Sequence, residues 1–230
     1  MLRFHLITLF PEACDAYLSA SILGRARTSK KISVSYQNPR DFVPVPKGKD
    51  KTFAYKKVDE RPYGGGPGMV MTALPIVKAV KKSLGRRTGK KAIIWFSPSG
   101  KQFTNKDAEA LGKLDEVVFV CGRYEGIDER AAKILKTMAP VKVFAFGEAV
   151  YTGAEVPAMG MVDAITRRLP GVLGKDASVE ERRVAAPDVY TRPEVLEWEG
   201  KTYRVPKVLL TGHHANIDKQ RSKKRKGSTK

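Results

Sequence analysis

An α/β protein with a mostly parallel sheet and helices on both faces is what the sequence predicts, and three observations predict it. Ala92 to Phe96 and Val117 to Val120 are continuous apolar runs without polar alternation, the pattern of strands buried on both faces. Leu74 to Leu84 sets Leu74, Val77, Val80 and Leu84 at helical spacing with lysines opposite, which makes a core-facing amphipathic helix. Strands and helices alternate along the chain, as crossover connections between parallel strands require.

The first strand is Leu2 to Phe10. Pro11 closes it and, with Glu12, opens a helix through Tyr17 and Leu18, because proline is preorganised for a first helical turn. Ser21 to Ala26 reads as a second short helix, Ile32 to Tyr36 alternates like a strand, and Pro39-Arg40-Asp41-Phe42 breaks it. Lys47 to Lys57 is a basic, irregular loop, either solvated or placed to touch phosphate. Gly85 to Lys90 is no triphosphate loop: three residues rather than four separate its glycines, and no Ser or Thr follows Lys90.

Further on, Ser97 to Gly100 and the Cys121 to Asp128 turn end the two apolar strands. Met161 to Leu169 is helical and Pro170-Gly171 breaks it. The expected organisation is a large domain over 1–170, a polar linker over 171–189, a small C-terminal domain over 190–218 and a basic tail over 219–230.

The net charge of +19 exceeds what solubility needs and makes a polyanion, nucleic acid first, the natural partner. The last twelve residues carry seven Lys or Arg and no acid, so most of the excess lies in the body of the chain. Cys14 and Cys121 are too few for a disulfide framework, and with His5, His213 and His214 they show no metal-ligand spacing. No run reaches membrane-spanning length and no signal segment opens the chain, so the cytoplasm is the expected compartment.

Two loops stand out as sites. Arg61 to Met71 reads R-P-Y-G-G-G-P-G-M-V-M, and Gly64, Gly65, Gly66 and Gly68 within five positions exclude helix or strand interior. Either a flat ligand approaches bare backbone there or the turn packs tightly. Cys121 to Asp128, C-G-R-Y-E-G-I-D, is its echo, and Phe146 to Gly153 adds a third loop. In a parallel sheet such loops converge outside the carboxyl ends of the strands.

RPYGGGPGM, CGRYEGIDER, GEAVYTGAEVPAM, LPGVLG, YTRPEV and VPKVLLTGHHANI, preceded by LITLFPE, occur in an order that resembles the bacterial tRNA (guanine-N1)-methyltransferases. The resemblance implies a SPOUT-class large domain with a deep trefoil knot, a small, mainly helical C-terminal domain, and a homodimer with active sites shared between subunits. It also implies S-adenosyl-L-methionine as methyl donor and, as target, the guanosine immediately 3′ of the tRNA anticodon.

Carried over by position, the donor pocket comprises Phe96, Ser97 and Pro98; Gly122, Tyr124, Glu125 and Gly126; and Phe146, Gly147, Glu148, Ala149, Val150, Tyr151 and Gly153. Asp59, Pro62, Tyr63, Gly64, Gly65, Gly66 and Gly68 would hold the guanine and the donor's methionine end. Taken singly, Tyr124, Phe146 and Tyr151 also suit core packing.

Guanine N1 carries a proton at neutral pH, so its methylation needs a base and a group to hold charge developing on the neighbouring oxygen. By resemblance that group is Arg167, with Arg168 as substitute. Counting from Gly174 puts Arg182 where the family has its linker aspartate, so the base candidates are Glu181, then Glu180, then Asp176. Ala154 also departs from the family, which commonly has a second glycine there, and a basic tail replaces its C-terminal helical extension. Alternative readings are a non-catalytic RNA-binding protein on the same scaffold, or a SPOUT methyltransferase acting on another RNA.

Overall fold

The computed structural model describes residues 1–44, 56–173, 188–213 and 217, and the chain divides into two compact units, Met1–Val172 and Leu173–Lys230. In the first unit, β1 (Leu2–Ile7) leads through α1 (Pro11–Leu18) and α2 (Ser21–Thr28) to β2 (Ile32–Gln37) and a 3₁₀ turn at Pro39–Phe42. A two-residue ladder of β3 (Asp59–Glu60) and β4 (Val70–Met71) then precedes α3 (Ala73–Leu84). Three further strand–helix units follow: β5 (Lys91–Gln102) with α4 (Asn105–Leu111), β6 (Glu116–Val120) with α5 (Glu129–Leu135), and β7 (Val141–Ala145) with α6 (Glu155–Thr166).

The sheet runs β2-β1-β6-β5-β7, and every neighbouring pair is parallel. Strand pleating sends alternate side chains to opposite faces. Phe4, Ile94 and Phe119 enter one core with Leu18 of α1, Leu111 of α4 and Met161 of α6. Ile7, Ile93, Val118 and Val120 enter a second with Val80 of α3 and Leu135 of α5. Both faces are therefore covered, which is why these strands read as unbroken apolar runs.

At the amino-terminal pole of the sheet, the fully buried Glu116 carboxylate is held by Arg3 Nε at 3.1 Å and by Arg87. His5 lies against it, its Nδ1 bonded to Ser35 Oγ at 2.7 Å. This charge cluster stands at the opposite end of the strands from the loops that follow β6 and β7.

Three expectations need correction. Leu74 is 56% exposed, not core; at 100° per residue it points roughly 150° away from the centre of the stripe formed by Pro75, Ile76, Val77, Ala79, Val80, Ser83 and Leu84. Ser97 to Gly100 does not end its strand: Phe96 and Lys101 both pair with Phe144, so four residues loop out and β5 resumes. Pro98 has no N–H to give a ladder, and a Cβ on Gly100 would lie 2.7 Å from the Phe144 carbonyl carbon, so the bulge needs both residues. Finally, α6 starts at Glu155, six residues before Met161, because Pro157 falls in its first turn, where a missing N–H costs nothing.

The described residues of the second unit form a hairpin of β8 (Val195–Trp198) and β9 (Lys201–Arg204) and a 3₁₀ turn at Lys207–Leu209, where a mainly helical domain was expected. Glu199 and Gly200 both take positive φ, 47° and 72°, the two-residue turn whose twist matches a hairpin. No helix among the described residues is long and apolar enough to cross a membrane.

Candidate functional site

The β5 bulge and the loops after β6 and β7 enclose a cavity of about 610 Å³ at the carboxyl ends of the strands. That volume suits a cofactor-sized molecule. All fourteen residues expected in a donor pocket, from Phe96 to Gly153, line it. Ala154, where the family commonly has a glycine, lines it too, as do Trp95, Gln102, Arg123, Ile127, Thr152 and Pro157, which sequence reading did not single out. Arg123 sits inside the CGRYEG motif and was legible there; Gln102 belongs to the strand beyond the bulge, which the sequence did not reveal.

Bare backbone shapes the wall. Gly126 and Gly147 take φ of 126° and 77°, and a Cβ on either would meet no atom within 4 Å, so their missing side chains leave open space. Tyr124 is held at φ 60°, a conformation that side chains rarely adopt. Phe146 forms an apolar wall, stacked on Phe103 at 6.2 Å and tilted against Tyr151 at 6.4 Å. A Cβ on Gly160 of α6 would lie 2.5 Å from the Phe146 ring, so α6 carries a glycine where that ring seats.

Beneath this wall a buried polar lock joins three elements. Glu155 at the first turn of α6 accepts a hydrogen bond from Thr8 Oγ1 at 2.9 Å, and its other oxygen lies 3.0 Å from Arg123 Nε. The guanidinium also covers the Phe10 ring at 4.5 Å. Next to it, burial and then the Glu155 charge push the Cys14 thiol up to about 11 and Cys121 well above its ordinary value, so both are protonated and unreactive.

The glycine stretch stands beside this cavity rather than in its lining. Residues 69–71 run along the β6 loop: Glu125 N–H donates to Met69 O at 3.0 Å, Met71 N–H to Gly126 O at 2.9 Å and Asp128 N–H to Met71 O at 2.9 Å. Gly68 faces Glu125, whose Cγ lies 2.6 Å from where a Cβ would be. Gly64, Gly65 and Gly66 have positive φ and nothing within 4 Å of a would-be Cβ, Tyr63 is fully exposed, and Pro62 precedes it. These glycines are thus open to solvent, which removes the tightly packed turn as their explanation. Asp59 is buried at the base of the β3–β4 ladder.

Arg167 caps the C-terminal end of α6, whereas Pro157 at the other end lines the cavity. At 1.5 Å per residue it stands about 15 Å along the helix from Pro157. Within one chain the cavity and Arg167 are apart. Glu181, Glu180, Asp176 and Arg182 lie outside the described residues, as do residues 45–55 of the basic loop and the tail at 219–230.

The model of the family described as tRNA (Guanine-1)-methyltransferase TrmD matches residues 2–230. The tRNA (guanine-N(1)-)-methyltransferase of Campylobacter jejuni strain RM1221 is 38% identical over 221 residues, covering 94% of this chain and 88% of that protein. Proteins of the same name from Ruminiclostridium cellulolyticum and Clostridium perfringens strain SM101 are 38% identical over 224 residues and 39% over 226. Each covers 96% of this chain, and the chain covers 89% and 87% of them respectively.

Proposed function

Since this chain belongs to the tRNA (guanine-1)-methyltransferase family, we propose that its cavity holds S-adenosyl-L-methionine and serves methylation of guanine N1 in tRNA, at the guanosine immediately 3′ of the anticodon. The enzyme is a tRNA (guanine-N1)-methyltransferase; the donor's identity, the target position and the residue roles are our reading. Membership does not favour a non-catalytic RNA binder or another RNA substrate.

The observation that carries the reading is the cavity wall. Adenine needs apolar surface and backbone donors and acceptors at close range, and Phe96, Phe146 and the open backbone at Gly126 and Gly147 provide them. When bound, S-adenosylmethionine would supply a methyl group activated as a sulfonium, the C–S bond pair staying on sulfur to leave a neutral thioether. The residues of this chain then have two tasks. A linker carboxylate, Glu181 first and Glu180 or Asp176 after it, takes the N1 proton as the N1–methyl bond forms. Arg167 holds the charge that develops on the guanine oxygen.

The distance of Arg167 from the cavity along α6 supports a homodimer in which one chain's cavity meets the other's Arg167 and linker. We assign 1–170 to a knotted SPOUT domain, 171–189 to that linker, 190–218 to a small tRNA-binding domain and 219–230 to an electrostatic tail, in a cytoplasmic enzyme. The excess of 43 Lys and Arg over 24 acids suits capture of the tRNA backbone. Transfer of labelled methyl groups to an unmodified tRNA transcript tests the reading: incorporation is expected, and it should vanish when the guanosine next to the anticodon is replaced. Equal incorporation into both transcripts would reject the target position.

A further inference from the structure

The lip of the cavity is the loop from Gly147 to Thr152, and a single side chain holds its leading edge. Gln102 Nε2 donates to Gly147 O at 3.0 Å while Gly147 N–H donates to Gln102 Oε1 at 3.1 Å. The backbone of Gln102 pairs with Ala145, and Phe103 N–H donates to Ala145 O at 2.9 Å. The side-chain amide therefore acts as a surrogate peptide and adds one rung to the ladder just where β7 ends. At the far edge of the lip, Gly153 bridges Arg123 and Ala154 N–H donates to Gly122 O at 3.0 Å. Between these ties, Glu148 to Tyr151 is exposed and Val150 is 86% exposed.

We infer that Gln102 is a positioning residue that clamps the cavity lip and so sets affinity for the molecule in the cavity. It rests on the reading of that cavity as the methyl-donor site. A primary amide is the one common side-chain group that offers a donor and an acceptor with the spacing of a peptide. Leucine of similar size offers neither. Glutamate offers two acceptors when ionised, one of them turned on the Gly147 carbonyl, but a donor and an acceptor when protonated. The clamp predicts a proton dependence that a merely packed residue would not produce.

The experiment uses the full chain with S-adenosylhomocysteine as probe, followed by calorimetry in buffers of different ionisation enthalpy. Two exposed hydrogen bonds correspond to about tenfold in affinity. Gln102→Leu is expected to bind about tenfold more weakly at every pH between 5 and 8. Gln102→Glu should match that loss at pH 8, recover towards the wild type as pH falls, and take up protons on binding. Methyl transfer by both variants should show a raised KM for the donor with kcat changed less than threefold. In the ligand-free protein, Gln102→Leu should speed hydrogen exchange across residues 147–152.

Affinities of both variants within twofold of the wild type at pH 8 would overturn the clamp, as would unchanged exchange. If the wild type itself fails to bind the probe, the donor reading fails instead, and exchange alone decides the clamp.

Discussion

Glu155 lies 3.0 Å from Arg123 Nε while its other oxygen accepts from Thr8, so one buried carboxylate ties the end of β1, the loop after β6 and the start of α6. The two partners are not equally placed: the Glu155 side chain is 6% exposed, whereas that of Arg123 retains 27% exposure.

That asymmetry fixes which substitution is worse. Arg123→Met strands a buried carboxylate with only Thr8 as partner and should cost about 3 kcal/mol. Glu155→Gln keeps an acceptor for Thr8 and leaves a guanidinium that can reach water, so it should cost about 1–2 kcal/mol. Urea unfolding of both variants measures the difference, and equal losses would contradict the lock as described.

His5 makes stability pH-dependent. Burial, against an opposing pull from Glu116, lowers its pKa to about 4 in the fold, while its ordinary value is 6.5; Arg87, Arg3 and Lys91 add to the lowering. Between those values the unfolded chain binds a proton that the folded one does not, so stability falls as pH drops from 6.5 towards 4, by up to about 3 kcal/mol. Glu116 is held below the usual carboxylate range by Arg87 and Arg3 against its burial, so its own contribution is lost only at lower pH still. Unfolding midpoints of wild type and His5→Asn across pH 4 to 7 should diverge, the variant showing the shallower slope.

Gly160→Ala separates helix stability from the site. Alanine favours a helix interior by about 1 kcal/mol, yet its Cβ would press the Phe146 ring, 2.5 Å away, towards the cavity. Helical content should be retained while affinity for S-adenosylhomocysteine falls at least tenfold. Unchanged affinity would mean that the ring moves elsewhere at no cost.

Much of this was legible in the sequence because period and chain breakers decide it. Pro11 marked the turn from β1 into α1, and the unbroken apolar runs at Ala92 and Val117 marked strands covered on both faces. Burial escaped at Leu74 because a leucine at near-helical spacing can still sit outside the stripe. The β5 bulge escaped because Ser-Pro-Ser-Gly is the signature of a loop, and only the later pairing of Lys101 with Phe144 shows that the strand resumes. Gln102 stayed hidden for the same reason. The hairpin of the second unit is legible in Leu196 and Trp198 before Glu199-Gly200 and Tyr203 and Val205 after it, apolar residues at a spacing of two on either side of a turn.

Complementation between two inactive chains tests the shared site most directly. Gly122→Val places a branched side chain where even a Cβ would lie 3.3 Å from Ile127, and should close the cavity; Arg167→Ala leaves the cavity intact but removes the group proposed to hold charge on the guanine oxygen. Each alone should be inactive in single-turnover methyl transfer to tRNA. Unfolded or exchanged together in equal amounts, random pairing makes half the dimers hybrid, each with one complete site, so activity should return to about one quarter of the wild type. No recovery, with hybrid dimers shown to have formed, would mean that Arg167 serves the cavity of its own chain and would contradict the shared site.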